Sequence, residues 1–329
     1  MEVDDGAELC FPQLLNTSCR KPTLPQSEAV FLNTLVFSIS LLTVALNLLV
    51  IISVSHFRQL HTPTNILLLS LAVSDFLVGL LLMPGEILRK TSCWFLGDLM
   101  CSLFMYVSYI IASASVGDMV LISVDRYVTI CHPLHYTTRI TVRRVKLCVC
   151  LCWLCSVFYN CLFVKDELTQ AGRYNSCYGE CLLIVNHITE AVNLALTFVV
   201  PVSLIILLYM RVFVVAVSQA RAMRSHITAV TLQRSVTLTA KKSELKAART
   251  LGVLVVVFLI CFCPYYCASL AGDSLLNTSS ASFVLFLFYF NSCLNPVIYA
   301  MFYPWFRRAV KLIVTLRILQ PGSCEAKIL

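Results

Sequence analysis

Charged residues are scarce in this chain. Only 13% of its 329 residues are Asp, Glu, Lys or Arg, whereas 59% are hydrophobic. Because so few charges cannot cover the surface of a water-soluble protein, the composition indicates a membrane protein. The sequence also lacks His-Glu-x-x-His, Gly-x-Ser-x-Gly and phosphate-binding loop motifs. We therefore expect no enzymatic activity.

Long apolar stretches recur along the chain, each with at most one charged residue. They cover residues 29–57, 63–84, 102–124, 147–164, 191–210, 250–272 and 274–303. Each is close to the roughly 20 residues that an α-helix needs to cross a bilayer. We predict an all-α membrane protein with a bundle of seven transmembrane helices at 29–303. An extracellular segment at 1–28 would precede the bundle, and a cytoplasmic tail at 304–329 would follow it.

The basic residues predict how the bundle is oriented. Most of the 25 Lys and Arg residues fall at one end of the predicted helices. The exceptions at the other end are Arg20, Lys21, Arg89, Lys90, Lys165 and Arg173. Since basic loops stay in the cytoplasm, we expect a multi-pass plasma-membrane protein with an extracellular amino terminus. The net charge of +8 then reflects topology, and we expect no nucleic-acid partner.

Two glycosylation motifs agree with this orientation. They begin at Asn16 and Asn277, which both fall on the predicted outer face. Glycans are added to Asn-x-Ser/Thr motifs on that side of the membrane. We therefore expect both asparagines to be glycosylation sites.

The last apolar stretch combines amides, a proline and aromatic residues. Residues 291–306 read NSCLNPVIYAMFYPWF. Pro296 removes a backbone donor and leaves the carbonyl one turn earlier unpaired, which is costly in lipid unless another group replaces the bond. We expect Asn291, Ser292 and Asn295 to replace it.

A short eighth helix is predicted directly after this span. Arg307, Arg308 and Lys311 alternate with apolar residues. This pattern is typical of an amphipathic helix that lies on a membrane surface. Membrane lipid is therefore an expected partner of the segment.

The run at 291–306 resembles, without a gap, the last-span signature of the trace amine-associated receptors, a branch of the rhodopsin-like G-protein-coupled receptors. The resemblance extends from Asn47 through Phe306. It implies an olfactory-type receptor that binds a small amine and acts through a heterotrimeric stimulatory G protein to raise cyclic AMP. Two alternatives stay open, a receptor for a non-amine small molecule and a transporter or channel. The inverted repeats and charged midplane pairs of transporters are missing from the sequence.

The resemblance also implies a switch between the ligand and the G protein. Arg126 would contact the G protein, and at rest it would be held by Asp125 and by Glu244 at the start of the sixth span. Outward movement of the sixth span would break the contact with Glu244. The other implied switch residues are Tyr127, Tyr209, Phe262, Asn295, Pro296 and Tyr299. Most rhodopsin-like receptors carry Trp where Phe262 stands.

Disulfide pairs are implied in the same way, at the face that meets an oxidising compartment. Similar receptors bond the Cys that opens the third span to the second outer loop, which implies a bond between Cys101 and Cys181. Members of the family also tie the amino-terminal segment to that loop, which implies Cys19 and Cys177. Cys10 and Cys93 remain unassigned.

Two acids fall at membrane depth, where polar residues are functional candidates. The resemblance implies that Asp75 holds a sodium ion, and no other cofactor is expected. The remaining sodium ligands would be Ser115, Asn291, Ser292 and Asn295, which offer the oxygen atoms that a hard cation prefers. A protonated Asp75 within the core is the alternative. For Asp118 we expect a neutral structural acid with Ser70 and Trp153 as partners, and a proton sensor is the alternative.

The predicted ligand site departs from the family at its main anchor. Counting back from Arg126 by the family's spacing places Ser108 where most members have an amine-binding Asp. A hydroxyl cannot balance a desolvated positive charge. Some fish members of the family also lack that Asp and carry an acid in the fifth span, at the position of Asn193. The resemblance to them implies that Glu190, one helical turn before Asn193, receives the ammonium group. The alternative is that Glu190 is a solvated rim residue and that the ligand is not an amine.

Other residues would complete this site. We expect Tyr265, Tyr266 and Tyr289 to enclose the ammonium group through their aromatic faces. Ser108 and Asn193 would orient the remainder of the ligand. A second amine could reach Glu86, so the sequence leaves room for a diamine.

Overall fold

The computed structural model describes residues 8–14, 17–20, 26–165, 169, 175–182, 187–227, 252–268, 278–326 and 328. These residues form helices but no β-strand. In chain order the helices are α1 (Gln26–His56), α2 (Pro63–Thr91), α3 (Asp98–Cys131), α4 (Val142–Phe163), α5 (His187–Leu194, Ala195–Val199 and Val200–Ile227), α6 (Gly252–Ala268), α7 (Thr278–Phe302) and α8 (Pro304–Val314). The predicted all-α fold is confirmed.

Six of the described helices, α1 to α5 and α7, are long and apolar enough to cross a membrane. The described part of α6 is a shorter apolar helix. Several helices extend past the apolar stretches found in the sequence; α3, for example, exceeds residues 102–124 at both ends. A helix can continue into the polar interface, where its charged residues are solvated, so apolar stretches underestimate helix length.

The core lies where α3 packs against α2, α4 and α5. Fully buried apolar side chains from five helices meet in it: Leu71, Met119, Ile205, Phe258 and Tyr299. On the outside of α4, an exposed apolar stripe repeats at helical spacing: Leu147, Leu151, Leu154 and Phe158. Such a stripe is costly in water but suits lipid, so the pattern supports a membrane-embedded bundle.

Helix ends are set by local chemistry. Pro63 occupies the first turn of α2, and the preceding Thr62 hydroxyl accepts a hydrogen bond from the Asn65 backbone N at 3.3 Å. The α7 helix ends before Pro304, where Arg307 Nη1 donates to the carbonyls of Ala300 and Met301 at 2.8 and 3.1 Å. A cation at that position satisfies carbonyls that have no helical partner.

The predicted amphipathic helix is confirmed in α8. Trp305, Phe306 and Ala309 are buried against the bundle, whereas Arg307 and Lys311 are exposed. Apolar and charged side chains therefore lie on opposite sides, as expected for a helix at a membrane surface.

Three disulfides join the loops at one end of the bundle, which we call the disulfide end. They are Cys101–Cys181, Cys19–Cys177 and Cys10–Cys93. The first two are the pairs that the resemblance implies, and the third joins the two cysteines that sequence reasoning left unassigned. Backbone hydrogen bonds also join these loops. Tyr178 N donates to Thr17 O at 2.7 Å, and Trp94 N donates to Gly179 O at 2.8 Å. The opposite end carries Arg126, and we call it the Arg126 end.

Candidate functional site

An aromatic group lies between α6 and α7, on the side of the core nearer the disulfide end. The ring centroids of Tyr265 and Tyr266 are 5.4 Å apart, and the Phe288 ring lies 4.7 Å from Tyr265 and 5.4 Å from Tyr289. Phe198 of α5 stacks on Tyr266 at 3.9 Å. The three predicted tyrosines are thus brought together by two further rings, Phe198 and Phe288, which sequence reasoning missed. Their faces offer the electron density that attracts cations.

Phe262 forms the floor of this aromatic group. Its ring lies 4.4 Å from Phe288 and 4.3 Å from Phe258, and its side chain is buried. A small cavity opens beneath it, lined also by Ser115 and Ser292. The cavity therefore separates the aromatic group from the polar residues deeper in the bundle.

The cavity is bounded on one side by a π-helical segment in α2, Val78–Leu82, which the sequence did not reveal. A second π-helical segment interrupts α5 at Ala195–Val199 and contains Phe198. Such segments shift the register of the following side chains and are frequent at functional sites. Both π-helical segments therefore influence which side chains face the aromatic group.

Glu86 and Arg89 of α2 form an ion pair at the disulfide end. The distance between Arg89 Nη2 and Glu86 Oε2 is 2.8 Å, and their side chains are 21% and 12% exposed. Arg89 was expected only as an outer basic residue, and the sequence left open that a second amine could reach Glu86. The structure instead places a cation of the chain itself on Glu86, because the two side chains lie three residues apart on one helix face.

Three of the predicted ligand residues lie on two helices: Glu190 and Asn193 are in α5, and Ser108 is in α3. Tyr109 and Tyr265 are each within electrostatic range of both Glu190 and Glu86. Glu190 is itself exposed, in the first turn of α5. Asn193 Oδ1 accepts from the Tyr159 hydroxyl at 3.2 Å, which ties α5 to α4.

Ser108 is already engaged by its own helix. Its hydroxyl donates to the Phe104 carbonyl at 2.7 Å. The oxygen lone pairs can still accept a hydrogen bond from a ligand. Ser108 is therefore suited to accept such a bond and not to neutralise a charge.

The carbonyl left free by Pro296 is bonded by a residue of another helix. Pro296 stands inside α7, and the carbonyl four residues earlier belongs to Ser292. Asn47 Nδ2 of α1 donates to that carbonyl at 3.0 Å and to Thr43 O at 3.0 Å. The expectation that Asn291, Ser292 and Asn295 replace the bond was therefore wrong. An amide on a neighbouring helix reaches the carbonyl directly.

Asp75 lies in the middle of the polar residues below the cavity. Asn295 Nδ2 donates to Asp75 Oδ2 at 2.7 Å, and Ser292 lies beside the same carboxylate. Asp75 Oδ1, Asn291 Oδ1 and Asn295 Oδ1 are buried and have no hydrogen-bond partner of regular geometry among the described residues. Buried oxygens of this kind need a donor, a water molecule or a cation. The donor set fits a hard cation such as sodium.

Asp118 contacts one of its two expected partners, Ser70, and is linked to the other, Trp153, only through Ser70. The Ser70 hydroxyl donates to Asp118 Oδ2 at 2.8 Å, and Trp153 Nε1 donates to the Ser70 oxygen at 3.0 Å. The chain of bonds joins α3, α2 and α4. The partner that the described residues give this fully buried carboxyl group is a neutral hydroxyl. A buried carboxyl group in such surroundings is more stable in its neutral form.

Arg126 is buried and contacts two side chains at its end of the bundle, Asp125 and Thr64. Its Nε donates to Asp125 Oδ2 at 3.0 Å, and its Nη2 also contacts Asp125 and Thr64. The Thr64 hydroxyl donates to Asp125 Oδ2 at 2.9 Å. Tyr136, on the short helix Pro133–Arg139, donates to Asp125 Oδ1 at 3.1 Å. Burial and the Asp125 charge raise the pKa of Tyr136, so it stays protonated and can donate.

Sequence reasoning named Asp125 but missed Thr64 and Tyr136. Both side chains are ordinary polar residues near helix starts, so no sequence pattern distinguished them. Glu244, the other expected partner of Arg126, lies outside the described residues, as do Asn16 and Asn277.

The remaining switch candidates differ in their surroundings. Tyr127 packs against Ile130 and Val212. Tyr209 and Tyr299 have buried hydroxyl groups for which the described part of the chain supplies no hydrogen-bond partner. Buried hydroxyls in this state are costly, so they are available for water or for new partners after a movement of the helices.

The comparisons with known proteins agree with this architecture. The family model described as "7 transmembrane receptor (rhodopsin family)" matches residues 46–299. Trace amine-associated receptor 13c of Danio rerio is 38% identical over 336 residues, which cover 98% of this chain and 96% of that protein. Trace amine-associated receptor 5 of Rattus norvegicus is 38% identical over 333 residues, covering 98% and 96%. Trace amine-associated receptor 1 of Mus musculus is 34% identical over 325 residues, covering 96% and 98%.

The Asp118 contacts generate a testable prediction. Asp118→Asn keeps an acceptor for Ser70 without a charge, so the free energy of unfolding of the purified protein in detergent should change little. Asp118→Ala removes the acceptor and should cost about 1–3 kcal/mol. An Asp118→Asn protein as unstable as Asp118→Ala would show that the wild-type carboxyl group is ionised.

Proposed function

Because this chain belongs to the rhodopsin family of seven-transmembrane receptors, and within it to the trace amine-associated receptors, we propose that it is an olfactory-type plasma-membrane receptor for a small amine. Members of this family are receptors and not enzymes. The observation that carries the proposal is the aromatic group of α6 and α7, whose Tyr265 is within electrostatic range of Glu86 and Glu190. The names of the similar proteins refer to trace amines, which agrees with this chemistry.

Glu190 is proposed as the counter-ion of the ligand's ammonium group. It is an acid within electrostatic range of Tyr109 and Tyr265. Glu86 on the opposite side is already paired with Arg89. Tyr265, Tyr266 and Tyr289 would add cation–π attraction, which is strongest for a desolvated cation. Ser108 and Asn193 would orient the polar remainder of the ligand.

Signalling is proposed to run from the aromatic group to the Arg126 end. Phe262 and Phe288 belong to the aromatic group and also line the cavity above Ser115 and Ser292. A ligand that favours one arrangement of these rings shifts an existing equilibrium and does not create a new state. Outward movement of α6 would free Arg126 for a heterotrimeric G protein. We propose a stimulatory G protein and cyclic AMP as the output, with Glu244 as a further restraint at rest.

A sodium ion is proposed as an accessory ligand of the resting state. Asp75, Ser115, Asn291, Ser292 and Asn295 would hold it. The support is the cluster of buried oxygens without regular partners around Asp75. A bound cation would stabilise the carboxylate and join α2, α3 and α7 in one arrangement.

The proposed orientation puts the disulfide end and the amino terminus outside the cell. The disulfides support it, because such bonds persist in oxidising compartments. Asn16 and Asn277 would then be available for glycosylation.

The ligand proposal predicts the effect of Glu190→Gln. Removal of the negative charge should lower the potency of an amine agonist about tenfold or more, which corresponds to 1.4 kcal/mol for each factor of ten. Concentration–response curves with a cyclic AMP reporter at matched surface expression measure this. Glu180→Gln is a matched control, since Glu180 accepts a hydrogen bond from the Ser176 backbone N in the outer loop. Unchanged potency in Glu190→Gln would favour a rim role for Glu190 and a non-amine ligand.

The contacts of Arg126 predict the effect of Thr64→Val. This substitution removes the hydroxyl that donates to Asp125 and contacts Arg126, so the resting state should be weakened and ligand-free cyclic AMP should rise. Thr138→Val is the matched control, because the Thr138 hydroxyl only bonds the His135 carbonyl within the same short helix. Equal basal cyclic AMP in both variants and in wild type, at equal surface density, would contradict the restraining role.

A further inference from the structure

The Glu86–Arg89 pair occupies the place where the sequence left room for a second ligand amine. Besides the 2.8 Å contact through Nη2, Arg89 Nε donates to both carboxylate oxygens of Glu86 at 3.2 and 3.3 Å. Two donor nitrogens on one carboxylate give the bidentate arrangement that makes Arg–carboxylate contacts strong. The charge of Glu86 is therefore already balanced by the chain itself.

Arg89 is fixed on a second side as well. Its Nη1 donates to the Cys181 carbonyl at 3.4 Å, and Cys181 is bonded to Cys101 at the start of α3. Lys90 lies within electrostatic range of Glu86 and adds positive charge to that wall. The guanidinium group is thus held between α2 and the outer loop and is only 21% exposed.

The pair and Glu190 act on the same tyrosines. Tyr109 and Tyr265 are within electrostatic range of Glu86, Arg89 and Glu190. Glu86 and Arg89 neutralise each other, and the proposed function assigns the first ammonium group of the ligand to Glu190. A second ammonium group would approach Arg89, and like charges at short range in a partly desolvated site repel strongly.

We propose that Arg89 is a specificity residue that fills the second-cation position of the pocket, so that the receptor selects singly charged amines and rejects diamines. This inference rests on the proposed function, because it assumes that Glu190 receives the first ammonium group. The selection works by repulsion of the wrong ligand as well as by attraction of the right one. A guanidinium group has five N–H donors. Those not used by Glu86 and Cys181 can bind a neutral acceptor of the ligand, such as a hydroxyl or carbonyl oxygen.

A matched pair of ligands tests the inference in cells that express the full receptor with a cyclic AMP reporter. 1-Aminopentane and 1,5-diaminopentane share one carbon chain and differ by one ammonium group. The wild-type receptor should respond to the monoamine at concentrations where the diamine gives no response. Arg89→Met removes the cation and frees Glu86, so the potency of the diamine should rise about tenfold or more. The potency of the monoamine should change much less.

Two control variants separate a local effect from a general one. Lys90→Met removes the same amount of charge but leaves the Glu86–Arg89 pair intact, so it should gain no diamine response. The double variant Arg89→Met with Glu86→Gln has no carboxylate for the second amine and should lose the gain. If Arg89→Met fails to reach the cell surface, Arg89→Gln replaces it, because the glutamine amide can still donate to Glu86.

The outcomes are distinct. Equal potency of both ligands on the wild-type receptor overturns the inference, and so does a surface-expressed Arg89 variant without a gain for the diamine. A gain of the same size in Lys90→Met also overturns it. A wild-type receptor that responds to non-amine compounds and to neither amine overturns the proposed function, and this inference with it.

Discussion

The hydrogen bond from Asn47 to the Ser292 carbonyl is the contact on which the polar interior depends. Pro296 cannot donate to that carbonyl, and an unpaired backbone group at membrane depth is costly. Asn47 replaces the lost bond from a different helix. As a result α7 can keep its proline within the bundle and present Asn295 to Asp75.

The same constraint explains the other buried polar groups. Among the described residues, two buried or half-buried cations have an acid as their direct neighbour: Asp125 balances Arg126, and Glu86 balances Arg89. Within each pair the two charges neutralise each other in the resting state. Little net charge is then left at either pair to attract an unrelated ion. A ligand or a G protein must therefore offer better partners than the chain already has. That requirement provides selectivity at both ends of the bundle, because a competing ligand that leaves one member unpaired meets a large penalty.

The described contacts also suggest how the two ends communicate. The aromatic group, the cavity below Phe262 and the oxygens around Asp75 follow one another along α3, α6 and α7. A packed core tends to have discrete arrangements and does not deform continuously. The small cavity and the unsatisfied hydroxyls of Tyr209 and Tyr299 are places where a second arrangement can gain contacts. This is a physical basis for a switch with two populated states.

Much of this architecture could be predicted from the sequence. The apolar stretches predicted where the spans lie, and the alternation of basic and apolar residues predicted α8. The family resemblance implied Ser70 and Trp153 as neighbours of Asp118, although Trp153 is linked to Asp118 only through Ser70. Arg89 could not be placed, because basic residues near a span end usually mark topology and the sequence does not tell which way a side chain turns. The Asn47–Ser292 bond was also missed, since it joins residues far apart in sequence. Neither π-helical segment has a distinctive composition. The sequence therefore did not predict which way the side chains around Val78 and Phe198 turn, and only the structure shows it.

The central claim is that an amine bound at the disulfide end activates a G protein at the Arg126 end. The most direct measurement uses the purified full-length protein in lipid nanodiscs with a stimulatory heterotrimeric G protein. The rate of guanine nucleotide exchange is followed with and without 1-aminopentane. The account predicts faster exchange with the amine, and loss of that acceleration in Glu190→Gln. Amine-driven solute flux or ion current in liposomes without any nucleotide exchange would contradict it and would identify a transporter or channel.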